Sequence, residues 1–363
     1  MSTALLWLQL LGAAVLILGG ARYLARSSDV IARRTGLGHT FAGIVLLATA
    51  TSLPELGTGI SAISLQDSPD LAAGSAFGSN LVNIFIIGIA DMIWRNGPLL
   101  GSVSRAPLLV ALLGTGVIGI SAVSVFVHHQ TTAMSEWYAS PLTGALFAFF
   151  LFATFAIYRS EKSQDIAAPS LDDNGSPDTE IDDAANGEAV GALGPAIGLY
   201  IASALVVIAS SVWLSYAGDG LADRLGWDES FVGTQFLAIS TSLPELATSL
   251  AALRLGLPEM AVGNLLGSNL FNMGFILSAN ELALTDGTIW AAISPSHGYT
   301  AVIAIAMTAV VVVALVLRTR RADQVGAGKA GADLSGVRRW AKPEALILIA
   351  GYIGASVALF YWG

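Results

Sequence analysis

Hydrophobic positions along the chain gather into ten long apolar stretches, near 4–25, 41–65, 70–94, 106–128, 138–158, 193–217, 231–255, 258–284, 298–318 and 344–362. Each has about the 20 apolar residues that a helix needs to cross a bilayer. Polar punctuation separates them, such as Arg33-Arg34-Thr35-Gly36, Asp67-Ser68-Pro69-Asp70, Arg95-Asn96-Gly97-Pro98 and His128-His129-Gln130. The longest break, 159–192, is acidic and rich in Ala, Gly, Ser and Pro, and reads as a disordered linker. The pattern predicts an all-α polytopic membrane protein of ten transmembrane helices.

Composition agrees: 54% of residues are hydrophobic and 12% charged, too few charges to cover a water-facing surface. The first stretch has no basic leader and no clear cleavage site, so it is expected to be a retained helix rather than a secretory signal. With no Cys in the chain, disulfides, thiolate metal sites and Cys nucleophiles are excluded. The four His residues show no metal-ligand spacing, and the net charge of −9 is concentrated in the acidic linker. No phosphate-binding loop, nucleophile elbow or metalloprotease motif occurs, so the chain is not expected to be an enzyme and needs no cofactor. Nothing points to a nucleic-acid partner or an obligatory protein partner; the expected surroundings are the lipid bilayer of a plasma or inner membrane.

Basic residues set the expected direction. With both termini outside, every Lys and Arg except Arg224 falls on a cytoplasmic connection, and the linker 159–192 is cytoplasmic.

An internal repeat organises the ten stretches. Residues 41–65 match 231–255 at about half of their positions, and Gly78-Ser79-Asn80 with Asn83 recurs as Gly267-Ser268-Asn269 with Asn272. Five helices per half is an odd number, so the second half would enter the membrane upside down. Two inverted five-helix repeats, 1–158 and 193–363, are therefore expected. This is a transporter architecture whose substrate site lies at the midplane between the halves.

The repeated segments carry the candidate chemistry. Thr51-Ser52-Leu53-Pro54-Glu55 and Thr241-Ser242-Leu243-Pro244-Glu245 each place a carboxylate deep in an apolar stretch, beside a proline that breaks the backbone ladder. Each thus offers a carboxylate, two hydroxyls and unwound carbonyls, which are hard oxygen donors suited to Ca²⁺ and Na⁺. A proline kink beside a water crevice is the bland alternative; an acid inside an apolar stretch already argues for function in one copy, and two copies at matching places argue for it more strongly. Ser79 and Asn83, like Ser268 and Asn272, share a helical face. Alone they would read as helix-packing glue, and beside the glutamates as pore-lining ligands. Asp91 and Glu281, toward helix ends, are expected to snorkel to water. The basic segment 318–342 needs no function beyond topology, and the acidic linker lacks the spacing of a Ca²⁺-binding EF-hand loop.

With both motifs in both halves, the chain resembles the sodium/calcium exchanger family of the cation/Ca²⁺ antiporter superfamily. The resemblance implies that Glu55 and Glu245 are the central carboxylates shared by Ca²⁺ and Na⁺. The carbonyls of Thr51 and Thr241 would complete the Ca²⁺ site. Ser52 and Ser79 with the carbonyl of Ala48, and Ser242 and Ser268 with that of Ala238, would form two flanking Na⁺ sites. Asn83 and Asn272 would lie at the centre. The first and sixth helices would slide across this core for alternating access. Prokaryotic exchangers of this type commonly have Asn in one repeat and Asp in the other, whereas this chain has Asn at both places. The Thr-Ser hydroxyls kept in both halves favour Na⁺ as the coupling ion; the alternative is a Ca²⁺/H⁺, or other cation/H⁺, antiporter using the same glutamates. A channel or a membrane scaffold is the reading from another class, and the repeats with broken helices count against it.

Overall fold

The computed structural model describes residues 2–35, 51–131, 139–167, 192–254, 256–326 and 342–362, and these contain helices and no strand. In chain order the longer helices are α1 (Thr3–Thr35), α2 (Leu53–Gln66), α3 (Pro69–Ile93), α4 (Ala106–Gln130), α5 (Pro141–Ala167), α6 (Leu193–Leu225), α7 (Glu229–Thr241), α8 (Leu243–Arg254), α9 (Pro258–Ala283), α10 (Ser296–Gly326) and α11 (Pro343–Trp362). Proline opens α3 and α9 and stands in the first turn of α2 and α4, where its missing N–H has no helical partner to lose. Asp67, Gly226 and Gly256 take left-handed backbone at the ends of α2, α6 and α8, and Asp67 alone of these does so with a side chain.

Eight of these helices are long and apolar enough to cross a membrane; α7 and α8, bent by 41° at Ser242, pass the same test as a pair, as a broken span or a re-entrant loop. The expected span 41–65 is described only from Thr51, where it contains α2. Several helices outrun their apolar stretches. α1 reaches Thr35 rather than 25, α5 Ala167 rather than 158, α6 Leu225 rather than 217 and α10 Gly326 rather than 318. Hydropathy marks only the length solvated by lipid, and backbone hydrogen bonding carries the helix on through polar residues. The linker thus begins as helix, and 168–191 lies outside the described residues.

α3 and α9 form the inner layer. In their apolar windows 78% and 67% of residues are buried, against 22–44% in the other six long spans. α3 packs against α9, α10 and α11, while α2 and α8 lie beside α3 and α9 respectively and contact α6 and α1. The outer helices turn Leu8, Val15, Phe155, Leu205 and Leu317 outward, each more than half exposed. An apolar shell of this kind requires lipid around it.

Glycines bring α7 very close to α3. A Cβ added to Gly78 would stand 2.4 Å from the Thr234 carbonyl oxygen and 2.6 Å from its Cα, and one added to Gly233 would stand 2.6 Å from the Leu71 oxygen. Glycine there lets two helix backbones touch, so that polar side chains from both reach one place.

Asp91 and Glu281 correct an expectation. Neither snorkels: both are buried, and each ties down the loop that follows its helix. The Leu99 N–H donates to Asp91 Oδ1 at 2.6 Å, and the Ile289 N–H donates to Glu281 Oε2 at 2.7 Å. Glu281 Oε1 also accepts from the Ser140 N–H at 2.6 Å. Lys342 stands 3.7 Å from Asp91 and donates to the Asp91 and Trp94 carbonyls, and Arg318 pairs with Glu344. Two His residues also bridge parts of the fold, His129 to the Ile293 carbonyl and His297 to the Asp70 carboxylate, while His128 Nδ1 meets the Ser124 carbonyl within α4. The two carboxylate anchors belong to the sequence repeat. Glu55 and Glu245 are 190 residues apart, Ser79 and Ser268 are 189 apart, and Asp91 and Glu281 are again 190 apart. The π-helical turn at Asn272–Ile276 within α9 absorbs the extra residue and brings the two anchors back to equivalent places.

Candidate ion-binding site

The two repeated segments fold alike. Ser52, just before α2, has φ −93° and ψ 3°; Ser242, just before α8, has φ −85° and ψ 5°. In each, the N–H of the residue after the glutamate returns to this serine's carbonyl, Leu56 to Ser52 at 3.2 Å and Leu246 to Ser242 at 3.1 Å. The proline in between has no N–H to give, so the chain bends there and restarts a helix. Glu55 and Glu245 therefore occupy first turns of helices, where the helix dipole favours negative charge.

Both carboxylates are buried, with Glu55 1% and Glu245 0% exposed. Ser79 donates to Glu55 Oε1 at 3.3 Å, and Ser268 donates to Glu245 Oε1 at 3.4 Å, so each half supplies a serine to its own glutamate. The halves also cross. Ser242 donates to Glu55 Oε1 at 3.4 Å, and the Thr241 and Thr51 side chains lie beside Glu55 and Glu245 respectively. The two carboxylates are near enough for their charges to interact. Oε2 of each glutamate is buried without a partner, as is Ser52 Oγ. Two buried carboxylates beside hydroxyls, each with a free oxygen, are donors of the kind that suit a hard cation. Among the described residues no group of three or more His, Cys, Asp or Glu could hold a metal, so such a cation would complete its shell with neutral oxygens.

A family model described as sodium/calcium exchanger protein matches residues 5–159 and 195–361. The chain belongs to the sodium/calcium exchanger family. It is an integral membrane protein of a transporter family. Inner membrane protein YrbG of Escherichia coli (strain K12) is 30% identical to this exchanger-family chain, over 100% of this chain and 97% of that protein. Putative antiporter CaxA of Alkalimonas amylolytica is 29% identical over 97% of each chain. Sodium/calcium exchanger MaX1 of Methanosarcina acetivorans is 25% identical over 74% of this chain and 80% of that one. Among solved structures, the sodium-calcium exchanger NCX_Mj soaked with 100 mM Na⁺ and 10 mM Sr²⁺ superposes with a TM-score of 0.58. That match has 20% identity and covers 98% of this chain and 99% of that one. Native YfkE superposes at 0.61 with 15% identity over 97% and 92% of the two chains. These two likenesses establish the fold.

Of the residues singled out in the exchanger-family sequence, Glu55, Glu245, Thr51, Thr241, Ser79, Ser268 and Ser242 gather around the two carboxylates. Ser52 is buried beside them without a partner. Ala48 lies outside the described residues. The Ala238 carbonyl already accepts from the Ser242 N–H at 3.0 Å and the Thr241 hydroxyl at 3.3 Å, so both of its lone pairs are engaged. The two central asparagines differ. Asn83 donates to Asn269 Oδ1 at 2.9 Å, whereas both amide atoms of Asn272 are buried and unpartnered. Asn269 also donates to the Asn80 carbonyl at 3.4 Å, so it joins α9 to α3. Gln235 escaped notice in the sequence. It lies in the π-helical segment of α7 and accepts from Tyr352 at 3.1 Å and Ser356 at 2.8 Å on α11. Its amide in the apolar run FVGTQFLA was the signal.

Proposed function

We propose that the chain is a secondary active antiporter that exchanges Na⁺ for Ca²⁺ by alternating access at a midplane site between Glu55 and Glu245. The carrying observation is the pair of buried carboxylates, Glu55 bonded by serines of both halves, Glu245 bonded by Ser268 with the Thr51 side chain beside it, and each with one oxygen free. A dehydrated Ca²⁺ between them is matched in charge by the two carboxylates. The seryl and threonyl hydroxyls around them suit Na⁺, which needs fewer charges. On this reading Glu55, Glu245, Thr51 and Thr241 hold Ca²⁺, and Ser52 with Ser79 and Ser242 with Ser268 serve two Na⁺ sites. The Ala48 and Ala238 carbonyls join those two sites; for Ala238 a present hydrogen bond must first give way. Asn83 and Asn272 lie at the centre, where Asn272 has its whole amide to offer.

The architecture that goes with this function is ten helices in two inverted repeats, 1–158 and 193–363, with both termini outside and the linker 159–192 in the cytoplasm. MaX1 and NCX_Mj, both named sodium/calcium exchangers, support the pair of ions proposed here. One observation favours the alternative of a Ca²⁺/H⁺ antiporter. With Asn at both 83 and 272 the centre holds two carboxylates, enough for one Ca²⁺ or two protons but short of charge for three Na⁺.

Reconstituted vesicles separate the two. An outward Na⁺ gradient is expected to drive ⁴⁵Ca²⁺ uptake with a proton ionophore present, and a pH gradient alone is expected to drive none. Uptake that follows the pH gradient and vanishes with the ionophore would replace Na⁺ by H⁺.

A further inference from the structure

One helical turn beyond the Glu55–Ser79 bond, toward the short turn that joins α2 to α3, lies a polar layer that the site described above does not use. The 3.3 Å bond fixes the register of the two helices. Three residues along α2 from Glu55 is Thr58, and four residues back along α3 from Ser79 is Ser75, each on the same face as its neighbour. The sequence repeat places Thr248 and Asn264 at the equivalent positions of the second half, and there the layer is closed. Asn264 Nδ2 donates to Thr248 Oγ1 at 3.0 Å and to Ser249 Oγ at 3.3 Å.

The first half has shorter side chains at two of these places, Ser75 for Asn264 and Gly59 for Ser249. A third polar group enters from α9 instead: Asn280 Oδ1 and Nδ2 lie 2.6 and 2.7 Å from where a Cβ on Gly59 would stand. None of these groups is satisfied. Thr58 Oγ1, Ser75 Oγ and both amide atoms of Asn280 have no hydrogen-bond partner, although Thr58 and Asn280 are 0% and Ser75 1% exposed. Buried polar atoms in native proteins are almost always bonded. Four orphans in one layer, opposite a counterpart that is fully closed, mark a place built to receive something.

The donors select the guest. Thr58 and Ser75 offer neutral hydroxyl oxygens and Asn280 an amide oxygen, with no carboxylate among them. Glu55 is one turn, about 5 Å, away along the helix axis. Ca²⁺ sites draw on carboxylates in the shell itself, so three neutral oxygens with one negative charge at a distance fit a monovalent hard cation better. We propose that Thr58, Ser75 and Asn280 form a further Na⁺ site, a relay through which Na⁺ reaches and leaves the Glu55 carboxylate. This rests on the Na⁺/Ca²⁺ reading of the main site.

The test uses the purified full chain, with Na⁺ as the probe and choline at equal ionic strength as the reference. Two variants each remove one hydroxyl without changing shape greatly: Thr58→Val and Ser75→Ala. Na⁺-driven Ca²⁺ flux is measured in vesicles against Na⁺ and against Ca²⁺ separately, and the Na⁺-induced rise in melting temperature is measured in detergent. Loss of one neutral ligand is expected to raise the half-saturating Na⁺ about three- to tenfold. The half-saturating Ca²⁺ should stay within about twofold, since the layer lies outside its shell. The Na⁺-induced thermal shift should shrink in both variants while the melting temperature in choline is kept. Unchanged Na⁺ dependence and an unchanged thermal shift would mean that the layer holds only water and would overturn the proposal. An equal loss of Na⁺ and Ca²⁺ affinity would also overturn it, because that is the mark of general packing damage. If Thr58→Val does not fold, Ser75→Ala carries the comparison. If a Na⁺ gradient drives no Ca²⁺ flux in the wild type, the reading of the main site fails separately. The thermal shift still decides this inference: a wild-type shift that shrinks in the variants supports it, and an equal or absent shift contradicts it.

Discussion

Replacing Glu55 by Gln removes one of the two charges that face a cation at the site and leaves the shape nearly unchanged. A carboxylate about 2.4 Å from Ca²⁺ attracts it by roughly 14 kcal/mol at an effective dielectric constant of about 20. Much of this is offset. The amide oxygen that replaces it still coordinates, and the ion-free protein no longer holds two buried carboxylates close enough to repel. Removing one partner from a buried charge pair costs about 3–5 kcal/mol in other proteins. We take that as the net loss here, which weakens Ca²⁺ binding by roughly two to three and a half powers of ten. Ser79 and Ser242 keep an oxygen to donate to, and so the fold has no reason to fail. Isothermal calorimetry of Ca²⁺ binding to purified Glu55→Gln is therefore expected to show no binding at concentrations that saturate the wild type. The ion-free variant should melt no lower than the ion-free wild type. A Ca²⁺ affinity within tenfold of wild type would contradict a Ca²⁺-binding role for Glu55, and so would a loss of binding that tracks a collapse of the ion-free melting temperature.

Glu281→Ala leaves the Ser140 and Ile289 N–H groups unpaired; it is expected to destabilise by about 1–3 kcal/mol for each, seen as a lower melting temperature, with Na⁺ and Ca²⁺ half-saturation unchanged. Gly78→Ala drives a methyl against the Thr234 backbone; thermal unfolding should show a loss of about 1–3 kcal/mol, and wild-type stability would mean that α3 and α7 are not packed as described. Ser170→Cys places a lone thiol in the linker of a chain without native cysteine. An impermeant maleimide should label it only after the cells are opened; labelling of intact cells would reverse the proposed orientation.

The carboxylates at the site were legible in the sequence for a physical reason. A glutamate inside an apolar run is costly, and the same cost repeated in two equivalent segments needs a common use. The serines of the second motif were legible for the same reason, since spacing alone puts Ser79 on a defined face of α3. What lay hidden depended on chain segments meeting from afar. Asp91 and Glu281 look like residues at helix ends, and only the return of the loops at Leu99 and Ile289 turns them into buried anchors. The difference between Asn83 and Asn272 was equally invisible, because it arises from Asn269, which reaches the first but not the second. Helix ends were set too early wherever a helix continued beyond the apolar stretch. The π-helical turn in α9 left only a one-residue change in repeat spacing.

Na⁺ and Ca²⁺ are proposed to exchange through the paired glutamates. The most direct measurement is ⁴⁵Ca²⁺ uptake driven by an outward Na⁺ gradient, in vesicles holding equal amounts of wild-type chain, Glu55→Gln or Glu245→Gln. Wild-type uptake is expected and should stop when the gradient is removed, and neither variant should take up more than empty vesicles. Uptake by either variant near the wild-type rate would show that the ions cross this protein by another route.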